Sequence, residues 1–229
     1  MSRVLVIVAL SLVAAGCGTQ TPADCQLQSS ANGPYALKFS QAGAGTGCTA
    51  TTGPDTFGDL WQFDPFENRL IVAFSALNST LPSPPNPNDP IYGKGHFSEQ
   101  FPDANDLCSV PDFTRMQVDA THAYAVTNLQ FLNTALYLGT EFKADVTYTN
   151  GACTRPYTVQ AINPAHVCAA KADCDPFAQP FASGVNSLYD QGCNLEQWAQ
   201  DLAAALGGDP GTGICFFNAA FPSLGGWKP

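Results

Sequence analysis

Charge is scarce in this chain. Asp, Glu, Lys and Arg make up 12 % of its 229 residues, against about 25 % in a typical soluble domain. Apolar residues still reach 45 %, so the low charge does not signal disorder, and the length suffices to bury a core. Basic residues are scarcer than acidic ones: 9 Lys and Arg face 19 Asp and Glu, for a net charge of -10. That excludes a nucleic-acid binder, which needs a basic footprint to displace counterions from phosphates. No run approaches the roughly eighteen apolar residues of a membrane-spanning helix. Neither C-x2-C nor H-E-x-x-H occurs, so the usual zinc signatures are missing. G-x-S-x-G and S-x-x-K are missing as well, which removes the serine-hydrolase elbow and the penicillin-recognising motif. No glycine-rich loop joins a strand to a helix in the way phosphate binding requires. No cofactor is implied, and no internal repeat of solenoid length is present.

Cysteine is plentiful by contrast. Nine cysteines point to an oxidising compartment. Arg3 precedes an apolar run from Val4 to Ala15 that only Ser11 interrupts. A run of that length is too short to span a bilayer and fits the apolar region of a signal peptide, so residues 1–16 are set apart from the fold. The run ends in Ala14-Ala15-Gly16-Cys17. These residues resemble the lipobox of bacterial lipoproteins, with Ala14 in place of the usual Leu. The resemblance implies cleavage before Cys17, a thioether-linked diacylglycerol on its sulfur and often a third acyl chain on its new amine. Gly18, where an Asp would signal retention in the inner membrane, implies sorting to the outer membrane. The alternative is an ordinary secretory signal cut near Ala15, with Cys17 left as a free or paired thiol. Removing Cys17 leaves an even set: Cys25, Cys48, Cys108, Cys153, Cys168, Cys174, Cys193 and Cys215. Eight can close four bridges, and which of about 105 pairings forms is not encoded in the spacing.

The remaining pattern is that of a mainly β protein. Residues 17–34 are expected to form a tether, pinned in part by Cys25. Tyr35 to Ser40 alternates as a half-buried strand, and Gln41 to Gly47 is a glycine-rich loop. Cys48 to Thr52 is expected as a short strand. Asp59 to Phe63 is another strand, stopped by Asp64-Pro65. Leu70 to Leu77 reads as a strand buried on both faces. Five prolines between Leu81 and Pro90 demand an extended loop. Ile91 to Cys108 is expected to be irregular, with a strand near Gly95 to Phe97. Tyr124 to Leu132 slips phase between Val126 and Leu129, as a β-bulge requires, with a short helix as the alternative. Phe142 to Thr149, Asn150-Gly151 and Tyr157 to Ile162 predict a hairpin with a type I′ turn. Pro156 predicts an irregular start or an edge position for the return strand. Asn194 to Leu206 predicts a helix with Asn194 as cap, Gln197 at the capping-box position and a Gly207-Gly208 stop. Ile214 to Phe221 is expected as a last strand. The expected architecture is an antiparallel β-sandwich over residues 35–163. A cysteine-rich segment, 164–229, packs on it with one α-helix. The stretch from Cys168 to Pro176 resembles cysteine-rich segments of envelope lipoproteins from predatory soil bacteria, a resemblance that implies no activity.

Candidate chemistry is sparse. The histidines are His96, His122 and His166. His96 lies near Ser98 and Glu99, the one local grouping that suggests a hydrolase. Asp103-Ala104-Asn105-Asp106 begins like a calcium loop but lacks the glycine and distal glutamate that follow. Asn86 to Asp89 and the pair Asp173/Asp175 are further candidate oxygen ligands. Trp61, Phe63, Phe66, Tyr92, Phe97 and Trp227 are expected to be core more than a glycan or peptide groove. Asn78-Ser79-Thr80 matches a glycosylation sequon by chance. The expected function is therefore a lipid-anchored envelope protein with a binding or structural role and no catalytic residues. Its partners are the membrane, through the lipid, and an unidentified protein or glycan. The alternatives are an envelope hydrolase with a cryptic site and a calcium- or glycan-binding surface module.

Overall fold

The computed structural model describes residues 24–28, 32–77, 88–134, 138–175, 177 and 191–218. The signal segment, Cys17, the sequon, most of the proline-rich stretch, Trp227 and the last residues of the expected C-terminal strand lie outside them.

Nine antiparallel strands make one sheet: β1 (Tyr35–Gln41), β2 (Thr56–Pro65), β3 (Leu70–Ser75), β4 (Gly93–His96), β5 (Leu107–Val110), β6 (Met116–Gln117), β7 (His122–Asn133), β8 (Leu138–Asn150) and β9 (Cys153–Ile162). Their order is β4-β3-β2-β1-β9-β8-β7-β5, with β6 beside β7. The sheet curls on itself, so the expected sandwich takes the form of a near-barrel. The terminal strands meet without a ladder. Ser98 N–H donates to the Ser109 carbonyl at 2.9 Å and Thr114 N–H to the Lys94 carbonyl at 2.8 Å. His96 N–H donates to Asp112 Oδ1 at 2.7 Å. This approach requires glycine: a Cβ on Gly95 would lie 2.6 Å from Val110 Cγ1.

Alternation sorts each strand. Tyr35, Leu37 and Phe39 of β1 enter the barrel with Trp61, Phe63, Tyr124, Phe131 and Phe142. Ala36, Leu60 and Ile162 face outward and are buried instead under a C-terminal cap. The cap holds a second sheet, β10 (Val167–Cys168), β11 (Gln191–Asn194) and β12 (Gly213–Phe217), in the order β10-β12-β11, and one helix, α1 (Gln197–Ala205).

Several local expectations need correction. Cys48–Thr52 forms a turn, because Thr49 and Thr52 hydroxyls accept each other's backbone N–H at 3.2 and 2.9 Å and satisfy it locally. β2 runs through Pro65, which pairs with Ile71. Strands β5 and β6 occupy a region in which only β4 was legible. The phase slip in β7 is a bulge between Thr127 and Gln130, with Asn128 at φ 51°. Asn150 pairs with Cys153, so the hairpin loop is Gly151-Ala152. Only Gly151 has positive φ, at 59°, which fits a type II′ turn, not type I′. β9 is central, between β1 and β8. Pro156 is tolerated because its ladder position lies where β1 ends and Ala42 N–H needs only its carbonyl, at 3.0 Å. Helix α1 starts later than expected. Asn194 stays in β11 and accepts from Glu196 N–H at 2.9 Å, while Leu195 is exposed. At the other end Gly207 and Gly208 N–H donate to the Ala204 and Ala203 carbonyls, a Schellman closure.

Candidate functional site

The eight cysteines other than Cys17 form four disulfides: Cys25–Cys108, Cys48–Cys153, Cys168–Cys193 and Cys174–Cys215. The Cys168, Cys174 and Cys215 sulfurs lie within 4.8 Å of one another, a spacing that metal ligands also show. All three are oxidised into bridges, which leaves no thiolate among them to bind an ion.

A cleft of about 650 Å³ opens at one end of the barrel. Three segments build it: Asp24–Leu27, the turn from Pro65 to Ile71, and Phe97 with Gln100. The N-terminal segment is held there by its bridge and by hydrogen bonds. Cys25 N–H donates to the Gln100 carbonyl at 2.7 Å, and Gln26 N–H to Asn133 Oδ1 at 3.1 Å. Cys25 and Leu27 are buried in the barrel core, so this part of the expected tether belongs to the packed body. Asn68 and Arg69 adopt positive φ, 57° and 62°, and turn Phe66 outward to 44 % exposure. Trp61, Phe63, Tyr92 and Phe97 are all buried. An aromatic groove is therefore not assembled from them.

A buried acid lies deep in the barrel. Asp59 is 1 % exposed. Leu60 N–H (2.7 Å) and Ser75 Oγ (3.0 Å) donate to its Oδ1. Trp61 Nε1 (2.9 Å) and Tyr124 OH (2.8 Å) donate to Oδ2. Burial pushes its carboxyl up to about 6 against the pull of these four donors. Burial and the neighbouring Asp59 carboxylate raise the Tyr124 hydroxyl as well. Sequence reasoning used Asp59 only as a strand start. The signal was available: Asp59 shares the inward phase of Phe57, Trp61 and Phe63. Both of its oxygens are taken up by these four donors, which makes it a polar tie within the core.

The histidines do not assemble a catalytic group. His96 Nδ1 lies 3.0 Å from Asp112 Oδ2, while Ser98 Oγ donates to the Ser109 carbonyl. The alternative hydrolase grouping of His96 with Ser98 and Glu99 thus gives way to an exposed pair that ties β4 to the loop after β5. His122 Nδ1 lies 2.6 Å from Asp119 Oδ2. Asp119 is held well below the usual carboxylate range, first by the Thr121 N–H and then by His122. Of the calcium candidates, Asn86 lies outside the described residues, and four of the carboxylates accept from the backbone, Asp89 Oδ1 from Ile91 N–H at 3.1 Å. Asp103 Oδ1 accepts from Asn105 and Leu107 N–H. Asp173 accepts from Ala169 and Ala170 N–H, and Asp175 from Phe177 N–H. Each carboxylate closes its own turn.

A family model described as MlpA matches residues 32–164, which spans all nine barrel strands and stops before the cap. No curated protein and no solved structure matches the chain.

Proposed function

Because the chain belongs to the MlpA family, whose name suggests a lipoprotein, we propose that it is a lipid-anchored cell-envelope protein with a binding or structural role. The cysteine pairing carries this proposal. Eight of the nine cysteines are bonded to one another, so Cys17 is the one left over, and it directly follows Ala14-Ala15-Gly16. Four bridges also require export to an oxidising compartment. Two or three acyl chains on Cys17 hold the protein stably, where one does not. Gly18 directs it to the outer membrane.

The barrel is a rigid scaffold, packed with side chains through its centre, and its ligand-contacting surfaces are its ends and loops. The partner is a protein or a glycan.

Intact mass of the protein made in a diderm bacterium tests the proposal. The expected chain begins at Cys17, is heavier by two or three acyl groups and yields eight thiols only after reduction. Fatty-acid label that persists in Cys17→Ala, or thiols that react before reduction, would overturn it.

A further inference from the structure

Building on the proposed anchor at Cys17, we infer that the barrel end formed by the 66–69 turn and the 97–103 loop sits on the membrane. Phe66 and Phe101 enter the headgroup layer of a weakly charged phospholipid surface.

Chain length sets the orientation. Cys25 is tied to Cys108 at this end of the barrel. The steps from Cys17 to Cys25 number eight, and a chain of that length spans at most about 29 Å whatever its conformation. β8 runs 13 residues from this end to the Gly151 turn, about 40 Å at the usual strand rise. An anchor that short does not let the barrel stand inverted on its far end, with Cys25 uppermost.

Two of the five exposed large apolar side chains among the described residues lie at this end; the others are Leu77, Phe177 and Leu195. Phe66 is 44 % and Phe101 47 % exposed, and their loops are joined. Phe97 N–H donates to the Arg69 carbonyl at 3.1 Å, and Arg69 Nη1 to the Ser98 carbonyl at 3.4 Å. Aromatic rings at a membrane-facing edge find their favoured place at headgroup depth. Charge selects the kind of surface. Asp24, Glu67, Glu99, Asp103 and Asp106 outnumber Arg69 at this end, so an anionic surface repels it and a zwitterionic one does not.

The test uses the full lipidated chain in phosphatidylcholine vesicles that carry brominated phospholipid. Three variants report depth: Phe66→Trp, Phe101→Trp and, at the far turn, Ala152→Trp. Flotation with the vesicles is scored first, and failure to float overturns the anchor and the orientation together. With flotation intact, brominated lipid should quench the first two at least about twofold more than the third, after subtraction of the parent chain's own tryptophans. Equal quenching at all three sites overturns the orientation and leaves the anchor standing. Added phosphatidylglycerol should weaken the quenching at Phe66→Trp; stronger quenching overturns the assignment to a weakly charged surface.

Discussion

The barrel and its cap solve the same problem in opposite ways. The barrel is held by long ladders around an aromatic centre. Tyr35 meets Phe63 edge-on with centroids 5.2 Å apart, and Phe63 meets Phe131 in the same way at 5.2 Å. Such pairs add about 0.5–1.5 kcal/mol each beyond their buried area. Its two disulfides sit at the barrel ends and join residues 83 and 105 apart. The cap has strands of two to five residues and a nine-residue helix. Its core is small, and it borrows Ala36, Leu60 and Ile162 from the outer face of the barrel. Its bridges join residues only 25 and 41 apart, and Cys168, Cys174 and Cys215 lie inside its apolar cluster. Where ladders bury enough surface, cysteines clip the ends. Where they do not, cysteines are the core. The MlpA match covers the first kind of structure and not the second.

The largest effect should come from removing both cap bridges, with serine at Cys168, Cys174, Cys193 and Cys215. Loop closure makes each bridge worth about 3–4 kcal/mol, more than a core this small can spare. The cap should open while the barrel stays folded. Limited proteolysis should cut only beyond residue 163, and near-ultraviolet dichroism should keep the barrel's aromatic signal. Loss of that signal would show that the two regions melt as one unit.

The barrel has its own weak point at Asp59. In Asp59→Ala, Trp61 Nε1 and Tyr124 OH lose their acceptor in a dry interior. The expected loss is about 3 kcal/mol or more, read from urea midpoints. The pH dependence follows from the same geometry. The folded carboxyl titrates at about 6, above its ordinary 3.8, so the proton favours the folded state. This contribution is fully present below pH 3.8 and is lost as pH rises through 6. Stability should therefore rise on acidification from pH 7 to 4, on the order of 2 kcal/mol. Asp59→Asn should flatten that slope, and an unchanged slope would assign it to other groups.

What the sequence disclosed divides along the same line. Elements with strict alternation were legible: β1, the β8–β9 hairpin, and the bulge in β7 that broke its own phase. β5 and β6 were not, because Leu107–Val110 and Met116–Gln117 are too short for a period and form only by pairing with β7. The hairpin register was one residue off, since Asn150-Gly151 is the strongest local turn signal and Cys153, bonded to Cys48, is a ladder position instead. In the cap, the α1 stripe was legible at Trp198 and Leu202. The pairing of its cysteines was not, because pairing depends on which loops meet in space. The barrel-end cleft was hidden for that reason too. It is made by three segments distant in sequence.

The seam between the regions can be wedged. Gly58 of β2 lies against α1, and a Cβ there would stand 2.8 Å from Leu202 Cγ and 3.0 Å from the Trp198 carbonyl oxygen. The carbonyl belongs to helix backbone and cannot swing aside. Gly58→Ala should cost about 1–3 kcal/mol, and the loss should fall on the cap. Raised hydrogen exchange in 197–205 with unchanged exchange in β7–β8 would show this. Equal loosening of both would mean that strain at the seam spreads into the barrel.

A smaller effect separates charge from packing at the same seam. Lys38 Nζ reaches Glu196 Oε2 at 3.1 Å and lies 5.4 Å from the centre of the Trp198 ring. Trp198 Nε1 and then Lys38 donate to the Glu196 carboxylate and hold it below its ordinary range. A half-exposed pair of this kind contributes about 0.2–1 kcal/mol. Lys38→Met keeps the stem that packs on Trp198 and removes only the charge. Its loss should be within that range above pH 4.5 and should fade as pH falls further, through the lower pH at which the folded glutamate protonates. A double-mutant cycle with Glu196→Gln isolates the pair. A coupling of zero would leave the apolar contact of Ala36, Leu60 and Ile162 with α1 and β12 to hold the cap, and the wedge at Gly58 would then be the sharper probe of the seam.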